Sequence, residues 1–430
     1  MNRPQHVPRS GRPAGLRSGM IYVMALVVVT AIAGITMVMA RGTAVTAEAT
    51  RFHVEQVACR LAAEGLLRAM VADIDRRLEA GRGPGLDQVP TTGLVIGEVT
   101  VLVLGRDPDR RHQTFGLIHE AGLVDLNHAP LAVLMAIPGL DRALAEAIIS
   151  YRGGPPTTDT QRTVIGRSGQ PFEHLEELRL LSEVTDDLFF GEDRNRNGLL
   201  DPGEDLNGNG LLDPGLRDLC TLESREPALA PDGRARRPVM MINRTMRSLL
   251  VDTLGEERGN AAYTLALAGQ PFATRFGFLA ALDLDDLEIA ALWPFLSGEE
   301  GRLGLIDAWS CDNGLLHNLV GPEMAARIIA ARPSRPPQDP AWLLAALTGD
   351  EIERAGFILT SGSHRLRADI LAIHHGGRGW ARLDATLDCS GGRVRVLRLQ
   401  WADQDGWPLV GSTPGRPAGL DPASALWSRQ

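Results

Sequence analysis

The sequence predicts an α+β fold: a long N-terminal helix, a β-sheet head, and a large α-helical domain inserted into that head. Three observations carry the prediction. An uncharged apolar run from Met20 to Ala40 leads without a break into a helix-period pattern. Runs rich in β-branched residues with strand-like alternation occur at residues 94–103 and again at 366–401. Between them lie short apolar helices separated by Pro-Gly and Gly-Pro turns.

The N-terminal segment sets the location. Residues 1–19 carry Arg3, Arg9, Arg12 and Arg17, no acid, and end Arg17-Ser18-Gly19. The run Met20–Ala40 is 21 residues, about 31 Å as a helix, enough to span a bilayer. A basic flank placed first keeps the N-terminus in the cytoplasm and exports the rest. Three readings fit: a secretory signal cut near Ala47 and Ala49, an uncleaved anchor, or a leader cut between Gly19 and Met20. That last junction resembles a prepilin peptidase site. Val57, Leu61, Leu67, Val71, Ile74 and Leu78 then continue the helix as an amphipathic stripe. Gly81, Gly83, Pro84 and Gly85 break it, so residues 20–85 form one segment, with 20–40 crossing the membrane.

Residues 86–121 read as head strands: Leu94, Ile96, Val99, Val101 and Val103, a turn at Asp107-Pro108-Asp109, then Thr114 to Ile118. Residues 122–190 read as a first helical subdomain. Asn127 is placed to cap a short helix with Pro130 in its first turn, and Asp141 to cap a second that ends at Gly153-Gly154-Pro155. This is a helix-hairpin-helix, or SAM-like, unit. A related pattern starts at Gly304-Leu305-Ile306-Asp307 and turns at Val320-Gly321-Pro322, with a weaker echo from Met241-Ile242-Asn243. Residues 171–182 and 272–296 read as further short helices. Residues 219–360 form the second helical subdomain. In 361–411 the period changes: Leu366, Ala368, Ile370 and Ala372 alternate with polar residues as a half-buried strand, Leu383 to Cys389 form the next, and Val394 to Trp401 the third. The intervening turn is Gly376-Gly377-Arg378-Gly379. Residues 412–430 read as a loose tail.

The sharpest chemical signal lies in 191–218. Asp193, Asn195, Asn197, Leu199, Asp201 and Glu204, with Gly198 at position six, match a twelve-residue calcium loop. Calcium takes hard oxygen donors; Leu199 would offer its carbonyl and Glu204 both carboxylate oxygens. Twelve residues on, Asp205, Asn207, Asn209, Leu211 and Asp213 repeat the pattern around Gly210. Position twelve is then Leu216, so the bidentate acid is missing, and Asp218 or another residue would have to substitute. No EF-type helices flank the loops, which suits a clamp for the insertion rather than a sensor.

Other chemistries find little support. The net charge is −9, and removing the leader's four arginines takes it to −13; an acidic body opposes nucleic acid as a partner. The hairpins Pro138-Gly139-Leu140-Asp141 and Gly321-Pro322-Glu323 place acids where a phosphate would approach. The chain has no lysine, so lysine chemistry is excluded. Cys59, Cys220, Cys311 and Cys389 show no metal spacing; buried thiols or one disulfide both fit. Neighbouring His374 and His375 point to opposite faces of a strand. Ser363-His364 has no acid at a recognisable spacing, and His53 near Glu55 reads as solvated. No P-loop, GxSxG or HExxH occurs, so no enzyme is expected.

Together these parts resemble the general secretion pathway protein K family, the large minor pseudopilins of type II secretion systems. The carriers are the Gly19 junction, the stretch Gly122-Leu-Val-Asp-Leu-Asn-His-Ala-Pro130 leading to Ile137-Pro-Gly-Leu-Asp-Arg-Ala-Leu-Ala-Glu-Ala-Ile148, the acidic Asn-rich loop from Glu192, and the Ser363–Ala372 strand with its following turn. The resemblance implies a pilin-like β-sheet head with an inserted helical domain and no catalytic activity. It implies a single-pass inner-membrane protein with a periplasmic head, cleaved by prepilin peptidase, and calcium in the head. It also implies a place at the pseudopilus tip with other minor pseudopilins. A minor pilin of a type IV pilus-like system, or a membrane-anchored DNA-uptake protein using its hairpins, are the alternative readings.

Overall fold

The computed structural model describes residues 15–110, 112–153, 169–298, 304–376 and 378–409, with only the backbone for 15–19. The leader before residue 15, Gly154-Pro155, Gly377 and the 412–430 tail lie outside the described residues. The chain divides into two compact units, at Val57/Ala58.

Helix α1 (Gly15–Glu79) begins in the first unit. There the side chains of Met20–Val45 are exposed, and the helix is long and apolar enough to cross a membrane. Thr30 Oγ1 donates to the Leu26 carbonyl and Thr36 Oγ1 to that of Ile32, at 2.8 Å for the latter. These hydroxyls thus need no external partner in an apolar medium.

In the second unit α1 buries Cys59, Ala62, Ala63, Leu66, Leu67, Met70 and Ile74. The expected stripe is thereby corrected: Leu67 and Ile74 hold, but Leu61 is 64% exposed. Alanines on the sheet beneath, Ala368, Ala372, Ala381 and Ala385, meet Ala62 and Ala63 in one cluster. Small side chains on both surfaces let the helix lie close, and that selects the alanine face over Leu61.

Strands β1 (Leu94–Ile96) and β2 (Val99–Leu104) follow, then β3 (Ile118–His119). The strand expected over Thr114–Ile118 is reduced to a bridge at Phe115 and the two residues of β3. The inserted region consists of three units, each opened and closed by short strands paired in parallel. In the first, β4 (Val124–Asp125) leads to α2 (Leu131–Leu134), α3 (Arg142–Tyr151), α4 (Asp186–Phe190) and α5 (Leu216–Leu219), and β5 (Cys220–Thr221) returns beside β4. In the second, β6 (Arg237–Pro238) leads to α6 (Arg244–Leu254), α7 (Glu256–Gly269), α8 (Arg275–Ala281) and α9 (Asp286–Leu292), and β7 (Leu296–Ser297) returns. In the third, β8 (Ile306–Asp307) leads to α10 (Asn313–Val320), α11 (Pro322–Ala331), α12 (Ala341–Ala346) and α13 (Gly349–Gly356), and β9 (Leu359–Thr360) returns.

Each unit's first helix pair turns on a glycine in the left-handed region: Gly139, Gly255 and Gly321, with φ of 77°, 86° and 87°. The middle unit opens earlier than its echo at Met241 suggests, and Asn243 caps α6 there. Asp141 caps α3, its carboxylate accepting from Leu144 N at 2.8 Å. Asn127 does not cap α2. Its amide instead makes a two-way bridge to the Phe172 backbone, 2.7 and 3.1 Å. Residues 175–180 form a 3-10 turn, not an α-helix. One apolar cluster runs from Val124 to Leu359 through all three units.

The chain then returns to the head as β10 (Arg365–His374), β11 (Trp380–Asp388) and β12 (Arg395–Trp401). The sheet is antiparallel in the order β1-β2-β10-β11-β12, with β3 also on β10. The insertion therefore leaves and re-enters between paired strands β3 and β10. Strand β10 is covered on both faces rather than half-buried. Leu366, Ala368, Ile370 and Ala372 face α1, while Leu371 and Ile373 join Leu102, Leu104 and Leu409 on the other side. That side also carries Arg367, Asp369, Arg382 and Asp384, which line a cavity together with residues 193 and 195–201.

Candidate metal loops

The segment 191–215 is closed at its base by two glycines. Gly191 and Gly215 approach so closely that a Cβ on either would lie 2.3 Å from the other's nitrogen. Glu192 N donates to the Asp213 carbonyl at 3.0 Å just above this crossing.

Both predicted loops fold alike. In the first, Asp193 Oδ1 accepts from Asn197 N and Oδ2 from Gly198 N, both at 2.9 Å. Asn195 Oδ1 accepts from Asn197 N (3.0 Å) and Asn197 Oδ1 from Leu199 N (2.8 Å). The amides of Asn195 and Asn197 both donate to Asp201 Oδ2, at 2.6 and 2.8 Å. In the second loop, Asp205 accepts from Asn209 N and Gly210 N, both at 3.1 Å. Asn207 Oδ1 accepts from Asn209 N (2.9 Å) and Asn209 Oδ1 from Leu211 N (2.7 Å). The amides of Asn207 and Asn209 again converge on one carboxylate oxygen, Asp213 Oδ2. The scheme repeats at a twelve-residue shift because the sequence does.

The loops differ at their twelfth positions. Glu204 is buried, and its Oε2 accepts from Asp201 N at 3.0 Å. The corresponding Leu216 is buried apolar core at the start of α5. Asp218 does not fill in for it: its Oδ2 accepts from Gly215 N at 3.2 Å and stands 3.7 Å from Arg110. Glu192, absent from the predicted donor set, does reach the second loop. Its Oε2 accepts from Asp213 N at 3.0 Å and its Oε1 from Leu206 N at 2.7 Å. The signal was present in the spacing, since Glu192 precedes Glu204 by the same twelve residues.

The first loop is docked on the sheet. Arg382 Nη1 donates to the Arg196 carbonyl at 2.9 Å while its other nitrogens grip Asp369 at 2.6 and 2.9 Å. Gly406 N donates to the Asn195 carbonyl at 2.6 Å, and Arg196 pairs with Asp405 at 3.1 Å. A polar cavity of about 1500 Å³ lies between this loop and the strands, lined by Arg106, Arg110, Arg217, Asp218, Arg367 and Asp384 among others.

Acidic groups are crowded in the first loop. Burial, with Asp218 and Glu204 nearby, holds the Asp193 carboxyl up at about 6. The donor chemistry also suits calcium: carboxylate, amide and carbonyl oxygens without nitrogen or sulfur. Among the described residues no three His, Cys, Asp or Glu side chains are drawn together as a metal cluster, so a cation in either loop would depend on the asparagine and carbonyl oxygens. Gly19 and Met20 both lie within α1.

The remaining candidates do not converge. His374 Nε2 pairs with Glu98 at 3.3 Å, while His375 Nε2 meets Thr100 Oγ1 at 2.8 Å. Ser363 Oγ donates to the Arg365 carbonyl, and burial pushes His364 down to about 3. All four cysteines are buried thiols, and burial pushes Cys311 and Cys389 up to about 12.

No family model and no curated protein matches the sequence. Among solved structures, the chain is similar to a chain of the crystal structure of the GspK-GspI-GspJ complex from the enterotoxigenic Escherichia coli Type 2 Secretion System. The identity is 11% and the TM-score 0.37, over 82% of this chain and 99% of that one. At that score the likeness supports no argument about role.

Proposed function

We propose that this chain is a non-enzymatic minor pseudopilin that caps the tip of a type II secretion pseudopilus and serves protein export across the outer membrane. The observation that carries the reading is α1. One helix is apolar and exposed over Met20–Ala40 and packed on an antiparallel sheet from Cys59 to Ile74. A bilayer, and later a filament core, are the surroundings such an exposed apolar stretch requires. Prepilin peptidase would cut between Gly19 and Met20, leaving a single-pass inner-membrane protein with a periplasmic head.

Two features favour the tip. Counted from Met20, the fifth mature residue is Met24. A carboxylate there would be costly in the bilayer unless a neighbour neutralised it, and a subunit that joins first has no such neighbour. The insertion between β3 and β10 would also obstruct a subunit stacked above in a head-to-tail filament. Its partners would be other minor pseudopilins. Calcium would hold the first loop through Asp193, Asn195, Asn197, Asp201, Glu204 and the Leu199 carbonyl, and the second through Asp205, Asn207, Asn209, Asp213 and the Leu211 carbonyl. Bound there, the ion supplies positive charge between carboxylates that otherwise repel. Through the Arg196 carbonyl and Asn195, it would stiffen the seam between insertion and sheet.

Mass spectrometry of the mature N-terminus, from cells with and without prepilin peptidase, tests the class. A peptidase-dependent start at Met20 is expected; an intact Met1, or a start near Ala47–Thr50, removes the filament model. Gold labelling of the assembled filament tests the position. Label at one end is expected, and label along the shaft would sink the cap.

A further inference from the structure

The second loop has a complete frame and no twelfth-position acid of its own. In the first loop that acid, Glu204, is tied to the ninth-position backbone: its carboxylate accepts from Asp201 N at 3.0 Å. The equivalent bond in the second loop is made by Glu192, whose carboxylate accepts from Asp213 N at the same 3.0 Å. Glu192 comes from the other end of the segment. It is brought there by the Gly191–Gly215 crossing and by its own N–H to the Asp213 carbonyl. It is 4% exposed, and among the described residues no arginine is paired with it. Two N–H bonds use two of its roughly four lone-pair directions and leave the rest for an ion.

We propose that Glu192 is the acidic calcium ligand of the second loop, standing in for the acid that Leu216 replaces. The inference rests on the calcium reading given above. Its consequence is an interlock. The residue immediately before the first loop's opening ligand, Asp193, belongs to the second loop's site. An ion in the second loop therefore fixes the backbone from which the first loop starts. The two sites should load with positive coupling, although only the first loop carries its own twelfth-position acid.

The test is calcium titration calorimetry on the full chain in detergent micelles, after chelation of residual metal. The wild type is expected to take up two ions. Glu192→Gln should weaken one site by about tenfold or more, the same site that Asp213→Asn removes, and adding E192Q to D213N should change nothing further. Glu204→Gln should weaken the other. Two ions with both affinities unchanged in E192Q overturn the assignment, as does a wild type that takes up one ion, and both leave the first loop's calcium standing. Uptake of no calcium overturns the calcium reading together with this inference. Should E192Q fail to fold, diffraction from wild-type crystals grown with calcium decides: a Glu192 oxygen within about 2.3–2.6 Å of the second ion supports the proposal, and one beyond bonding distance overturns it.

Discussion

Asp73 shows how much one side chain can organise. It lies on α1 and is 1% exposed, and its Oδ2 accepts from Asp87 N, Gln88 N and Val89 N at 2.8, 2.8 and 3.2 Å. Arg76 meets its other oxygen at 3.0 Å. Burial alone would raise its pKa, but the three N–H groups and Arg76 outweigh burial and hold it below 3.8. A depressed carboxylate contributes stability that is present above the unfolded value and lost as pH falls through the folded one. Asp73→Asn should therefore cost about 1–3 kcal/mol at neutral pH. Its disadvantage should begin to shrink below about pH 4, where the unfolded carboxyl takes up a proton, and vanish as pH falls through the depressed folded value. Urea unfolding at pH 7 and pH 3 measures both. Equal stability at pH 7 would show that the loop after α1 holds itself. The sequence offered no hint of this role, since an acid on a helix next to Arg76 reads equally well as a surface ion pair.

At the scale of elements, periodicity revealed what local rules determine and missed what tertiary contacts determine. The Asp141 cap, the turns at Gly139 and Gly321 and the strands β10 to β12 follow from short-range chemistry, and they were legible. Asn127 looked like a cap, but Phe172, distant in sequence, claims its amide. The α1 stripe was drawn through Leu61 because leucine weighs heavily in any pattern, whereas the alanine-lined sheet chose Ala62 and Ala63. The repeated turns of residues 193–213 were legible as a motif, and Glu192 escaped because its partner Asp213 is joined to it only by the closed base. Docking of the first loop was likewise invisible, and it yields a prediction. Arg382 grips Asp369 with two nitrogens and the Arg196 carbonyl with a third, in a largely buried setting. Arg382→Ala strands the half-buried Asp369 carboxylate and should cost about 1–3 kcal/mol. It should also speed hydrogen exchange at the Asn197, Gly198 and Gly406 amides, whose acceptors belong to the docked loop. Arg382→Lys keeps the charge but not the two-nitrogen grip, and should fall between wild type and alanine.

For the whole molecule, the division at Val57/Ala58 falls between an exposed apolar run and a sheet-facing cluster. Every α1 residue in the sheet-facing cluster lies at Ala58 or later, while the exposed apolar run ends well before it. A chain beginning at Ala58 should then fold without detergent, run as a monomer in gel filtration and unfold at a temperature close to that of the full chain. A chain beginning at Val71 should not fold. It loses Leu66, Leu67 and Met70 from the face of the sheet, each about 2–5 kcal/mol on truncation to alanine alone. Cys59, Ala62 and Ala63 go with them, and the combined loss approaches or exceeds the roughly 5–15 kcal/mol by which domains of this kind are stable. Were the Val71 chain to give a cooperative melt with the sheet intact, α1 would be an accessory to the head. The contrast between the two cuts would instead establish that the part of α1 from Ala58 onward completes the fold of the head.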